Sequence, residues 1–194
     1  MKKEVRSFSG TATKREGDDG QRFITGIAAV YNTYSQVMYP DFQERLLPGC
    51  FDESIANAGR DIIATVNHDL HKVLGRRKSG TLYLRPDADS LYVECLASEV
   101  SFSRDLLIQV ERGDIASMSF TFDVIEDEWY LKDGERFRDV KKADLYEVAW
   151  VIDPAYIETK AGTRSLESIK AFDERKVTLI LRTKRMFLET LEKE

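Results

Sequence analysis

Ile115-Ala116-Ser117-Met118-Ser119-Phe120-Thr121-Phe122 alternates with period two, placing Ser117, Ser119 and Thr121 on one face and Met118, Phe120 and Phe122 on the other. This is the pattern of a strand with one apolar side, and it sets a mainly β expectation for the chain. Burying the aromatic side would hold the hydroxyl side rigidly, pointing outward to where a substrate strand could lie. A serine hydroxyl is barely ionised at neutral pH, so it needs a base within hydrogen-bond reach before it can attack a carbonyl. The chain offers two histidines for this, His68 and His71.

Working outward, Ser103 or Ser101 is expected to cap a helix that runs to about Arg112, with Leu106, Leu107 and Val110 at helical spacing and Gly113 as its stop. After the serine strand the chain continues to Tyr130 and turns through Lys132-Asp133-Gly134. It returns from Phe137 to Ile152, ending at Asp153-Pro154. By simple alternation Glu147 shares a face of the return strand with Leu145, Ala149 and Val151, an unusual place for a carboxylate. Further upstream, Arg22–Tyr31 reads as a buried strand, Leu47–Ile55 as the start of a short helix, and Asp61–Val66 as a strand that delivers Asn67-His68-Asp69. Thr81–Arg85 and Ser90–Leu96 read as a hairpin around Pro86-Asp87-Ala88-Asp89. Ser165–Phe172 reads as a helix and Val177–Leu191 as an amphipathic one, although residues 177–181 also alternate like a strand. The expected organisation is a β domain over 1–160 and a helical C-terminal extension over 161–194, either partner-binding or removed by self-cleavage.

Composition bounds the function. At 194 residues, 42% hydrophobic and 32% charged, the chain has the balance of one soluble globular domain. A net charge of −5 argues against a nucleic-acid partner, which would call for a basic face. No apolar run approaches the roughly 20 residues of a membrane-spanning helix, so no membrane partner is expected. Cys50 and Cys95 are the only cysteines and the N-terminus is charged, which sets the expectation of a cytosolic protein with reduced thiols. His68-Asp69-Leu70-His71 lacks the spacing of two ligands on one helical face, and no metal or cofactor is expected.

Ser119, His68 and Glu147 have the residue types of a catalytic triad, with the hydroxyl attacking, the imidazole taking its proton and the carboxylate fixing the ring tautomer. Each also has an ordinary reading. The serine could be a small surface residue, the histidine a turn residue, and the glutamate an ion-pair partner of Arg136 or Arg138. Asn67 and Asp69 are expected to fix the histidine turn through side-chain to backbone hydrogen bonds.

Four blocks in order carry a family resemblance. They are Leu47-Pro48-Gly49-Cys50-Phe51-Asp52-Glu53-Ser54-Ile55; Asn67-His68-Asp69 with Val73-Leu74-Gly75; Arg112-Gly113-Asp114-Ile115-Ala116-Ser117-Met118-Ser119-Phe120; and Leu145-Tyr146-Glu147-Val148-Ala149-Trp150-Val151-Ile152-Asp153-Pro154-Ala155-Tyr156. Across roughly residues 10 to 160 the chain resembles the HK97-type bacteriophage prohead proteases. The resemblance implies a mainly β fold with flanking helices, a compact antiparallel β-barrel of the type found in herpesvirus assembly proteases. It implies a serine endopeptidase that cuts the scaffolding segment from capsid precursors, and also itself, inside the assembling prohead in the host bacterial cytoplasm. The major capsid protein precursor is the implied partner, with the portal and a second copy of the chain as further ones. The family's catalytic pair falls on His68 and Ser119, and the acidic residue before Val148, Glu147, is the candidate third member.

Three departures stand out. Cys50 occupies a position usually held by alanine, Ala149 and Asp153 replace small hydroxyl residues, and Ser117, often glycine, is a rival nucleophile on the same face as Ser119. A loop near Gly75-Arg76-Arg77 is the candidate oxyanion donor. The reading from a different class is a β-barrel assembly or scaffold protein that binds capsid precursors without cutting them.

Overall fold

A computed structural model of the chain describes residues 3–8, 12–18, 20–38, 40–152, 169–179, 181–182 and 185. The serine segment opens a long hairpin, β9 (Ser117–Lys132) and β10 (Glu135–Val151), that forms the spine of the molecule. On its other side β9 pairs antiparallel with β1 (Glu4–Phe8). β10 takes two short parallel neighbours on the side away from β9. These are β4 (Gln43–Leu46), against residues 137–140, and β5 (Ile63–Val66), against residues 147–150. β6 (Asp69–Arg76) completes this sheet beside β5. A second, antiparallel sheet runs β2 (Thr13–Glu16), β3 (Arg22–Val30), β8 (Ser90–Leu96) and β7 (Leu82–Pro86).

The fold is therefore mainly β with a few helices, as expected, but the described strands form two separate ladders and do not close into a barrel. The antiparallel expectation is also corrected, because β10 is long enough to receive β4 and β5 as parallel strands at its two ends. β1, β2, β4 and β6 are strands that the sequence reading did not identify.

The core lies under the aromatic face of β9. Met118, Phe120 and Phe122 are fully buried, and burial of each such side chain is worth roughly 1.5–3 kcal/mol. Phe51, just before α1 (Asp52–Ala56), meets Phe120 edge-on at 5.6 Å between ring centroids, and Trp150 closes the cluster from β10. α2 (Ser101–Arg112) buries Leu106, Leu107 and Val110 and ends at Gly113, whose φ of 80° is the left-handed conformation that glycine adopts without strain. The expected side-chain cap is absent. Val100 stands at the helix N-cap, and the buried Ser103 hydroxyl accepts from the Ser98 N–H at 3.1 Å.

Gly75 in β6 has a different task. A Cβ built there would lie 2.6 Å from Cys95 Sγ and 2.9 Å from the Thr81 carbonyl, so only glycine lets β6 lie this close to the second sheet. Residues 169–179 are helical, and Ile169 packs with Met38 and Phe42. The expected strand end at Asp153-Pro154, the first part of the 165–172 helix and most of 177–191 lie outside the described residues.

Candidate active site

β5 and β6 are joined by two residues, Asn67 and His68, both with positive φ (51° and 59°). A two-residue hairpin turn matches the twist of its strands when both residues are left-handed, and asparagine tolerates this well. The turn is tied down as expected. Asn67 Oδ1 accepts from the Ile152 N–H at 3.3 Å, and Asp69 Oδ1 accepts from the His71 N–H at 2.9 Å. The result is a histidine in a sparsely populated backbone region at the tip of a short hairpin, held against the end of β10. Strain of this kind costs of order 1–3 kcal/mol and concentrates where a side chain must be aimed.

His68 is aimed at Ser119. Its Nε2 lies 2.8 Å from Ser119 Oγ, and its Nδ1 lies 3.0 Å from Glu147 Oε2. Ser117 sits two residues along β9, opposite Val151, and forms no hydrogen bond to His68 among the described residues. His71 is exposed on β6. The three residue types singled out in the sequence therefore meet, with one serine and one histidine selected over their rivals.

Glu147 reaches this position through a β-bulge. Leu145 pairs with Phe122 and Glu147 with Thr121, so Tyr146 is one residue more than β9 supplies. The extra residue moves Glu147 off the core side shared by Leu145 and Phe122 and onto the hydroxyl side, with Ala149 opposite Ser119. Of the face assigned by simple alternation, Ala149 and Val151 stay with Glu147, and Leu145 alone is on the other side. Its ordinary reading also finds no support, because Arg138 pairs with Glu4, Glu44 and Asp127, and Arg136 with Asp173.

Glu147 is 8% exposed, and its carboxylate receives three side-chain donors: Thr65 Oγ1 on Oε1 at 2.6 Å, and Thr121 Oγ1 at 2.9 Å and the His68 ring on Oε2. Burial alone would push this carboxyl up, but the hydrogen bonds from His68, Thr65 and Thr121, with the attraction of His68, outweigh it and hold the group below its usual range. An ionised carboxylate only accepts, so the His68 Nδ1 facing it carries a proton. In the neutral ring Nε2 is then the acceptor for the Ser119 hydroxyl, which is the tautomer that a general base requires.

The hydroxyl face is not open to solvent, which corrects the outward-facing expectation. Ser119 has no exposed surface and Ser117 is 4% exposed. β1 lies alongside with Ser7 opposite Ser119, and the Arg6 carbonyl accepts from Ser119 Oγ at 2.8 Å. The hydroxyl has one proton and two acceptors. It donates to His68 when the ring is neutral, and to the Arg6 carbonyl when Nε2 is itself protonated and donates to Oγ. The His68 side chain, 29% exposed, is the open side of the site.

At the candidate oxyanion loop two of the three amides are already engaged. The Arg76 N–H donates to Thr81 Oγ1 and the Arg77 N–H to the Ile62 carbonyl. Burial pushes the Cys50 and Cys95 thiols up to about 12, so both stay protonated near neutral pH and neither rivals the serine. Thr65 was missed in the sequence, although it is the lone hydroxyl in the run Ile62-Ile63-Ala64-Thr65-Val66.

Comparison with known proteins places this geometry in context. A family model described as Caudovirus prohead serine protease matches residues 10–174. The prohead protease of Enterobacteria phage HK97 is 27% identical over 170 residues, which is 86% of this chain and 70% of that protein. Among solved structures, the capsid assembly protease of bacteriophage T4 superimposes with a TM-score of 0.54 at 10% identity. That match covers 77% of this chain and 97% of the other, a likeness of fold.

Proposed function

Because the chain belongs to the Caudovirus prohead serine protease family, we propose that Ser119, His68 and Glu147 are the nucleophile, the base and the orienting acid with which it cuts capsid precursors. The chain is a serine protease of capsid maturation. The observation that carries the residue assignment is the continuous line from Ser119 Oγ through both ring nitrogens of His68 to Glu147 Oε2, with contacts of 2.8 and 3.0 Å.

In this reading Ser119 Oγ attacks the scissile carbonyl carbon while its proton passes to His68 Nε2. The tetrahedral adduct collapses as His68 returns that proton to the leaving amine, leaving an acyl group on Ser119. A water molecule then gives its proton to His68 and attacks the ester, which frees the carboxylate product and restores the serine. Glu147 stays ionised throughout, holding the Nδ1 proton in place and stabilising the imidazolium formed midway. Substrate approaches from the His68 side, because β1 covers the other flank of Ser119.

The substrates are capsid precursors and their scaffolding segments, met inside the assembling capsid. Contacts with the portal and with a second copy of the chain belong to the same reading. No described helix is long and apolar enough to cross a membrane. Residues 1–160 form the catalytic unit and 161–194 an extension, with Ile169 seated on Met38 and Phe42 as its anchor.

Co-expression with the capsid precursor tests the assignment. Ser119→Ala and His68→Ala each abolish cleavage on a gel, a loss of about 10⁴-fold or more. Wild-type cleavage by folded Ser119→Ala would sink it. Failure of the folded wild-type chain both to cut and to react with a fluorophosphonate would favour a scaffold that binds without cutting.

A further inference from the structure

Glu147 has two carboxylate oxygens, and only Oε2 serves His68. The terminal torsion of a glutamate is broad and roughly two-fold, so a carboxylate gripped at one oxygen can swing and carry its hydrogen bond out of line. Here the other oxygen is gripped too. Thr65 Oγ1 donates to Oε1 at 2.6 Å from a fully buried position on β5, opposite Ala149 on β10. Threonine is stiff about χ1, so its hydroxyl is a firm anchor.

The placement of the two threonines follows a pattern. Thr65 lies on β5, three residues before His68. Thr121, which donates to Oε2, lies on β9, two residues after Ser119 and directly opposite Glu147. Each threonine thus rides on the strand that positions one partner of the proton transfer, and both end on the acid between them.

On the triad reading given above, we propose that Thr65 is a positioning residue for peptide cleavage, fixing the plane of the Glu147 carboxylate so that Oε2 stays on the His68 ring. It touches no reacting atom and acts through Glu147. A threonine present only to satisfy its own hydroxyl would affect folding and leave chemistry alone.

The test uses the full-length chain and a fluorophosphonate probe, which reacts with the serine whatever the peptide specificity. Thr65→Val keeps the shape and removes the donor. The maximal rate of phosphonylation is expected to fall about tenfold to a hundredfold, the value of a hydrogen bond to a charged group, with the half-saturating probe concentration unchanged within about twofold. Thr65→Ser restores the rate to within about threefold of wild type. In the Glu147→Ala background Thr65→Val costs less than about twofold, since the group it positions is gone. In wild type the His68 Nδ1–H gives a far-downfield proton resonance, which Thr65→Val shifts or broadens.

Should Thr65→Val fail to fold, Thr65→Ala and Thr65→Ser are compared by the same rate and resonance. A wild-type rate in either donor-free variant, or the same fractional loss with and without Glu147, overturns the inference. Ser119→Ala and His68→Ala run alongside. If they still react, the triad reading has failed. If they are inert while Thr65→Val behaves as wild type, only the role of Thr65 has failed.

Discussion

Two buried polar clusters flank the same strand pair and are built to opposite ends. On the core side of β1 and β9, where Arg6 pairs with Phe120, five charged groups interlock. Arg138 reaches Glu4 at 3.0 Å, Glu44 at 2.8 Å and Asp127 at 2.8 Å, and Arg6 holds Glu44 at 2.8 Å and Glu4 at 2.6 Å. On the other side, where Ser7 pairs with Ser119, the Glu147 carboxylate is met by hydroxyls and a ring. The first cluster satisfies its charges with guanidiniums that never release a proton, so it fastens β1 without offering proton transfer. The second contains an imidazole whose proton can move and a hydroxyl with a choice of two acceptors. Both are nearly dry, and the difference in function lies in whether a proton has somewhere to go.

If this contrast is right, Glu147→Gln falls on activity. Cleavage of the capsid precursor drops about 10⁴-fold, as expected when a ring loses its correct tautomer, while circular dichroism shows the fold retained. A modest drop would return Glu147 to a structural role. Arg138→Ala falls on stability instead. Leaving the buried Glu4 and Glu44 with Arg6 as one guanidinium between two carboxylates costs about 3–5 kcal/mol in denaturant unfolding, with the phosphonylation rate of the folded fraction little changed. An Arg138 variant as stable as wild type would mean that the Arg6–Glu44 pair and the backbone suffice to fasten β1. Ser117→Ala is the finest of these tests. It shares a face with Ser119 but not the histidine, so cleavage stays within about threefold of wild type.

The comparison also explains what could be read in advance. The β9 alternation, the β9–β10 hairpin, the stop of α2 at Gly113 and the strand that presents His68 were all legible, because apolar period and turn chemistry agree there. β1 was not. Its buried positions include Glu4 and Arg6 while Val5 is 37% exposed, so its hydropathy runs backwards and makes sense only with Glu44 and Arg138 beside it. β2 is exposed along its whole length and carries no period at all. The serine and the histidine were legible as types and as a family pattern. The hydrogen bonds that select Ser119 over Ser117 depend on pairing across strands far apart in sequence.

Tyr146 gives that pairing its phase. A strand's two faces are a binary count, and the bulge at Tyr146 adds one to it in the last third of β10. Were the bulge ironed out with Tyr146 drawn into the ladder opposite Thr121, the strand would alternate regularly from Leu145 onward. Val148 would then turn toward the hydroxyls, and the acid would face Phe120, where burial drives a carboxyl to its neutral form. Which face the acid takes is thus decided by whether Tyr146 stands outside the ladder. Tyr146 has contacts of its own at that position: its hydroxyl donates to Asp123, and the Lys3 and Arg60 side chains lie over its ring.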